Sequence, residues 1–299
     1  MLNLFTEEFN FLGKVKFWVK KILKKENRGP RAVFLSLVRG LRELKAPFSV
    51  NENFTDTVVV LSGIQPLKKA ILKKRQGVIK KLIAGPNLVV LPSEYGSIIA
   101  NNEIDRVIMP SLWVKEYYEK LEPRLIGKIS VWPAGVNIPQ NEEQKEKTLD
   151  FIVYNKVGMS EIFKEVVKYL NLKKYVFKVV DYNNFKQAKF FHLLNSTKAL
   201  IYLSESESQG LAMFEAWARN VPVLIWERGF WEKQGFRVSG NTASPYVSEQ
   251  SGMRFKNFAD FKNVLPKFLK SNFEPKRYVL ENFTDSLCAE KLLEIIKNA

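Results

Sequence analysis

Hydrophobic positions recur along this chain with two periods, and their alternation sets the first expectations about its elements. Leu2-Asn3-Leu4-Phe5 is a short run that can open a sheet. From Phe9 to Lys25 the period changes: Phe9, Leu12, Val15, Trp18, Val19, Ile22 and Leu23 return at three- and four-residue spacing, while Lys14, Lys20, Lys21, Lys24 and Lys25 mostly hold the other side. That is the pattern of a basic amphipathic helix. After Gly29-Pro30, residues Arg31 to Leu44 predict a helix, and Thr57 to Gly63 predict a buried strand that ends at a turn. A helix near Leu67 to Gln76, strands at Asn87 to Leu91 and Arg106 to Met109, a helix over Leu112 to Leu121 and a strand at Lys128 to Trp132 follow. Such alternation predicts a mostly parallel sheet flanked by helices.

Pro133 to Asn137 then leads into a polar run, Pro139 to Lys147, without apolar periodicity. The domain boundary is expected there. A second alternating set runs through strand Phe151 to Tyr154, helix Ser160 to Leu170, strand Val176 to Val180, helix Asn184 to Asn195, strand Ala199 to Leu203, helix Leu211 to Arg219 and strand Val223 to Trp226. The expected organisation is a first Rossmann-like domain over 1–147, a second over 148–278, and a helical tail over 279–299 that can cross back to the first.

Composition agrees with two cores. The 299 residues exceed one ordinary compact domain, and 46% are hydrophobic. The lone Cys288 excludes an intramolecular disulfide, and no Cys and His cluster has zinc-site spacing. No uncharged apolar run approaches the roughly 20 residues that span a bilayer, and Lys14 and Lys16 interrupt any signal-peptide core. A cytoplasmic setting is expected. The formal charge of +16 calls for a partner of opposite charge or for an explanation in solubility, and nucleic acid, an anionic membrane surface and phosphorylated small molecules are the candidate partners. Residues 1–147 carry 25 basic and 15 acidic residues, and residues 148–299 carry 22 and 16, so the excess is heavier in front.

The informative junction is strand Ala199 to Leu203, polar loop Ser204 to Gln209, and Gly210 opening a helix through Glu215. In open parallel sheets ligands sit outside the carboxyl ends of strands, and a following helix offers unpaired N–H groups to a phosphate. Glu207 and Glu215 are eight residues apart, so the first falls in the loop and the second inside the helix. A carboxylate can accept two hydrogen bonds from vicinal sugar hydroxyls. The plainer alternative is an acidic helix start favoured by the helix dipole.

The full string Ser206-Glu207-Ser208-Gln209-Gly210-Leu211 through Glu215 to Leu224 resembles the glutamate-x7-glutamate signature of family-four-like retaining glycosyltransferases. Val131 to Asn137 and Pro110 to Trp113 are similar to flanking turns of that family. The resemblance implies an α/β fold of the GT-B type, two Rossmann-like doubly wound domains facing a cleft. It implies a nucleotide-diphosphate sugar as donor, bound without a further cofactor. By the same resemblance Glu207 is expected to contact the donor sugar, Ser208, Gln209, Gly210 and Leu211 to line the donor loop, where backbone amides hold the distal phosphate, and Glu215 to bind the ribose. Lys156 stands where the family places a basic residue on the diphosphate, and with Glu207 forms the expected catalytic pair. The family commonly supplies an Arg and a Lys there, whereas Tyr154 to Ser160 supplies only Lys156.

Other features bound this reading. No Asp-x-Asp motif occurs, so no metal ligand is expected. The family's glycine-rich first-domain loop is reduced to Gly29-Pro30, and the single His192 is expected to be structural or at the surface. Gly85-Pro86-Asn87 and Ser93-Glu94 are the candidate acceptor lining. The acceptor is expected to be a glycan or lipid-linked, transfer to retain the anomeric configuration, and the helix over Phe9 to Lys25 either to rest peripherally on an anionic membrane surface or to pack on its own domain. The alternatives are an epimerase or inactive subunit of related fold, and, on net charge alone, a nucleic-acid-binding protein.

Overall fold

The computed structural model describes residues 1–7, 29–139, 146–184, 186–233 and 235–299. The basic amphipathic segment expected over Phe9 to Lys25 lies outside them, as does most of the polar run from Pro139 to Lys147. The chain folds into two compact units, Met1–Gly135 together with Asp285–Ala299, and Val136–Thr284. The division falls at Gly135/Val136, before the polar run, and again at Thr284/Asp285.

The first unit contains β1 (Leu2–Phe5), α1 (Gly29–Glu43), β2 (Phe48–Val50), β3 (Asp56–Ser62), α2 (Ile64–Arg75), β4 (Ile79–Asn87), β5 (Arg106–Met109), α3 (Leu112–Leu121) and β6 (Ile129–Val131). Its strands pair in parallel in the order β2-β1-β3-β4-β5-β6. Val58, Val59 and Val60 on β3 and Leu82, Ile83 and Ala84 on β4 are fully buried, as strands covered on both faces require.

In the second unit, β7 (Leu149–Asn155), α4 (Glu161–Leu172), β8 (Phe177–Asp181), α5 (Gln187–Asn195), β9 (Thr197–Leu203), α6 (Leu211–Trp217) and β10 (Val223–Trp226) alternate. A hairpin, β11 (Phe230–Lys233) and β12 (Phe236–Ser239), precedes β13 (Gly252–Phe255), α7 (Phe258–Lys270) and α8 (Pro275–Asn282). The parallel order is β13-β10-β9-β7-β8. The core joins Phe151, Val153, Ile201 and Leu203 of the sheet to Val166 and Leu170 of α4 and to Phe261 and Leu265 of α7. The chain thus enters the sheet at β7, adds β8 on one side, and then crosses to β9 on the other. That reversal is a topological switch point, where ligands of doubly wound sheets bind.

Helix α9 (Asp285–Lys297) belongs to the first unit and packs on α1. Gly40 makes this possible: a Cβ there would stand 2.0 Å from the Asp285 carbonyl oxygen. The buried Asp285 carboxylate pairs with Arg39, and the Trp132 indole N–H donates to the Cys288 carbonyl at 2.8 Å.

One strand differs from the sequence expectation. The apolar run Asn87 to Leu91 is not a strand; β4 is the preceding segment, with Lys80 and Lys81 inside it. Lys81 is accommodated because its ammonium reaches the carbonyls of Ile296 and Lys297 at 2.9 and 3.0 Å. In the run that follows, the Tyr118 hydroxyl donates to the Val89 carbonyl and Glu94 accepts from the Val90 N–H. Side chains, not a neighbouring strand, satisfy that backbone. Strand β2 and the β11–β12 hairpin carry no expectation from the pattern and are found only in the structure.

Candidate active site

The switch point of the second unit is built from the loops after β7 and β9. Strand β7 ends at Asn155, a buried residue whose side chain organises the turn beyond it. Its Nδ2 donates to the Gly158 carbonyl at 3.0 Å and to Asp181 at 2.9 Å, and its Oδ1 accepts from the Val157 N–H at 3.1 Å. Lys156, held between these contacts, continues the ladder by donating its own N–H to the Leu203 carbonyl of β9. The next residues of the β9 loop form the other wall. The Ser204 hydroxyl donates to the Ser206 carbonyl, and the Glu207 N–H donates to the Thr242 carbonyl at 2.8 Å.

These two loops bring Lys156 and Glu207 together. The ammonium lies 2.6 Å from Glu207 Oε1, with the lysine side chain 23% and the glutamate side chain 10% exposed. The Tyr202 hydroxyl donates to the same oxygen at 2.8 Å. Tyr202 is buried in β9 and stacks on Tyr154 of β7, the ring centroids 4.9 Å apart. Burial first, and the Glu207 charge after it, hold this phenol well above its ordinary pKa, so it stays a donor. On the open side the ring of Tyr182, next after β8, lies 4.6 Å from the Lys156 ammonium. The site is therefore a carboxylate with a neutral donor beneath it and a cation beside it, at the carboxyl edge of the sheet.

Gly210 follows with φ of 89°, a left-handed conformation that β-carbon-bearing residues rarely adopt. Its carbonyl accepts from the Met213 N–H, which turns the chain into α6. The N–H groups of Leu211 and Ala212 stand in the first turn of α6, where no intrahelical carbonyl is available to them. Gln209 is buried and Ser208 exposed beside this turn. Glu215, one turn along, accepts from Gln187 Nε2 at 2.7 Å.

Glu227 is a residue that the sequence reading did not single out. Its buried carboxylate accepts from the N–H groups of Gly229, Ala243 and Ser244 and from the Ser244 hydroxyl, all within 3.0 Å. This clamp presents the Thr242 carbonyl to Glu207. Tyr202, Tyr182, Asn155 and Gln187 were not singled out either: Tyr182 and Gln187 act on residues 26 and 28 positions away, and Tyr202 and Asn155 read only as buried strand positions. His192 is exposed on α5. In the first unit, Asn87 ends β4 with its Nδ2 buried and without a hydrogen-bond partner, while Ser93 is exposed and Glu94 caps the Val90 N–H. Among the described residues no cluster of His, Cys, Asp and Glu could hold a metal ion.

No protein-family model matches the chain. No curated protein matches it in sequence. Solved structures do match in fold. A TarM mutant from S. aureus, in complex with Fondaparinux, alpha-GlcNAc-glycerol and UDP, superposes with a TM-score of 0.53 at 13% identity; the match covers 88% of this chain and 58% of that one. The lipopolysaccharide outer core galactosyltransferase WaaB, in its apo form, gives a TM-score of 0.58 at 14% identity, with coverage of 100% and 99%. A GtfA/B complex gives 0.51 at 13% identity, with coverage of 86% and 59%. This chain therefore spans less than two thirds of the TarM and GtfA/B chains and nearly all of WaaB. With two doubly wound units of parallel sheet and these likenesses over most of its length, the chain has the α/β fold of the GT-B type.

Proposed function

We propose that this protein is a glycosyltransferase that moves a sugar from a nucleoside diphosphate sugar to a hydroxyl of a glycan or lipid-linked acceptor, with retention of anomeric configuration. The observation that carries the proposal is the Lys156–Glu207 pair at the β7/β9 switch point, 2.6 Å apart and largely sheltered from solvent. The family-four-like motif assigns Glu207 to the donor, the family's basic position assigns Lys156 to it separately, and the two meet in space although 51 positions separate them. The fold shared with WaaB and TarM supports the same reading, as does the UDP bound to TarM.

In this reading the donor diphosphate draws the Lys156 ammonium, and Glu207, still held by Tyr202, accepts from a hydroxyl of the donor sugar. The N–H groups of Leu211 and Ala212 lie beside the distal phosphate, with Ser208 and Gln209 along the loop, and Glu215 accepts from the ribose hydroxyls. The bond from the anomeric carbon to the diphosphate oxygen breaks. The acceptor oxygen bonds to that carbon on the same face, and its proton passes to the departing diphosphate oxygen. Positive charge grows on the sugar and negative charge on the diphosphate, so a carboxylate near the first and a fixed cation near the second lower the barrier. Positioning the acceptor hydroxyl supplies the rest.

Incubating the protein with UDP-, GDP- and ADP-sugars, with mixed glycan and lipid-linked acceptors, tests this. Transfer, or slow donor hydrolysis, is expected from one donor class and is expected to be lost in Glu207→Gln. Isomerisation of the donor without transfer would make the chain an epimerase. An inverted anomeric proton in the NMR spectrum of the product would remove the claim of retention, and failure to bind any nucleotide sugar would remove the function.

A further inference from the structure

Arg228 stands just beyond β10, in the connection to the β11–β12 hairpin. Ile225 of β10 is level with Tyr202 of β9, so the same step along each chain brings Arg228 level with Glu205, in the loop that carries Glu207. The guanidinium carbon lies 5.6 Å from the centroid of the Trp226 ring and 5.0 Å from that of Phe230, and the side chain is 23% exposed. A guanidinium offers five N–H donors in a fixed fork. Among the described residues its one hydrogen bond runs from Nη2 to Glu205 Oε2 at 3.5 Å, well beyond the roughly 2.7–2.9 Å of a charge-assisted bond. Its Nε is buried and has no hydrogen-bond partner. The adjacent acid is used elsewhere: the Glu227 carboxylate accepts from the N–H groups of Gly229, Ala243 and Ser244 and from the Ser244 hydroxyl. Arg237 of β12 brings a second guanidinium to the Phe230 ring, at 3.9 Å.

Aromatic faces orient a guanidinium and strip part of its water, but they leave the N–H fork at its edge to another group. That fork matches a carboxylate, which can take two parallel bonds from it. Glu205 has the right chemistry in a loose position: it is 62% exposed, and a pair of this kind contributes little. We infer that Arg228 is a specificity-determining residue for the donor: it pairs with a carboxylate on the donor sugar, to which Glu205 yields its place, so that the donor is a nucleoside diphosphate hexuronic acid and not a neutral hexose. This rests on the proposed function and deepens it, since the glutamate-x7-glutamate motif contains neither residue and does not name the sugar. The donor is favoured over the acceptor as the source of the carboxylate because Arg228 belongs to the loops that hold Glu207. The Glu207 N–H is fixed by the Thr242 carbonyl, and the next two residues, Ala243 and Ser244, are fixed by Glu227, the neighbour of Arg228. A site organised to pair with a polar group discriminates against the ligand that lacks it.

The test is calorimetry on the full chain with matched donors: UDP-glucose against UDP-glucuronate, UDP-galactose against UDP-galacturonate, and GDP-mannose against GDP-mannuronate. In at least one pair the wild-type protein is expected to bind the uronate about tenfold tighter or more, the size of one hydrogen bond to a charged group. In Arg228→Met that ratio is expected to fall to near one, whereas a general pull of a basic chain on an extra negative charge would survive the loss of one cation. Arg228→Lys keeps the charge and loses the fork, and should give an intermediate ratio. Glu205→Gln removes the internal competitor and should raise uronate affinity about two- to fivefold, the opposite direction to Arg228→Met. A purely structural link between the two residues would move both variants the same way. Neutral sugars bound as tightly as uronates in every pair, an unchanged ratio in a folded Arg228→Met protein, or a shift of Arg228→Met and Glu205→Gln in the same direction overturns the inference and leaves the proposed function standing. If the wild-type protein binds no nucleotide sugar, both fall.

Discussion

Two donors meet at Glu207 Oε1, the Lys156 ammonium at 2.6 Å and the Tyr202 hydroxyl at 2.8 Å, and they differ in what a ligand can take from them. Tyr202 is fully buried and stays with the carboxylate, whereas Lys156 is partly exposed and can turn to an incoming phosphate. On the proposed function, replacing Lys156 with Ala removes one charge-assisted bond to the donor diphosphate, and nucleotide affinity measured by calorimetry is expected to fall about ten- to a hundredfold. Unchanged affinity would take Lys156 out of the donor site. At this scale the sequence showed Glu207, Gly210 and Glu215 through one continuous string, because a strand, a loop and a helix start are local. It singled out Lys156 separately and could not show the contact between them. Tyr202 went unnoticed for another reason: within Ala199 to Leu203 it reads only as one more buried strand position.

Among the elements, the joint between α1 and α9 is the one most exposed to a small change. Gly40 faces the backbone of Asp285, and the nearest atoms to an added Cβ are a carbonyl oxygen at 2.0 Å and its carbon at 2.6 Å. Neither is a flexible side-chain end, so α9 must shift. Gly40→Ala is expected to lower stability by about 1–3 kcal/mol, as over-packing does, even though alanine favours a helix. A thermal melt showing equal or higher Tm would contradict this. The elements themselves were largely legible from periodicity: β5, α3 and β10 coincide with their expected spans, and most others lie within a few residues. The misplaced strand shows where periodicity stops. Lys80 and Lys81 make β4 look polar, yet Lys81 finds carbonyls on α9 more than 200 residues away. Asn87 to Leu91 is apolar enough for a strand, yet side chains from Tyr118 and Glu94 bind its backbone. The partners of Lys81 and Tyr118 lie outside any local window.

For the molecule as a whole, the net charge of +16 is the property that the proposed donor site does not account for. The segment Phe9 to Lys25 contributes much of it and lies outside the described residues, and we propose from its sequence pattern that it is an interfacial anchor. Among the described residues no helix is long and apolar enough to cross a membrane. Flotation with liposomes containing acidic lipid is expected to recover the full chain and to lose most of it when residues 9–25 are deleted or the lipid is neutral. Equal recovery in these cases would remove the anchor. The sequence alone determined the α/β class, the repeated alternation of strand and helix, and the strand-loop-helix junction that carries Glu207 and Glu215, because apolar period and turn chemistry are properties of neighbouring residues. Only the tertiary structure decided the strand orders that create a switch point between β7 and β9, the return of α9 to the first unit, and the meeting of Lys156, Tyr202 and Glu207 on one oxygen. Those depend on which distant surfaces bury one another, and no local pattern contains that information.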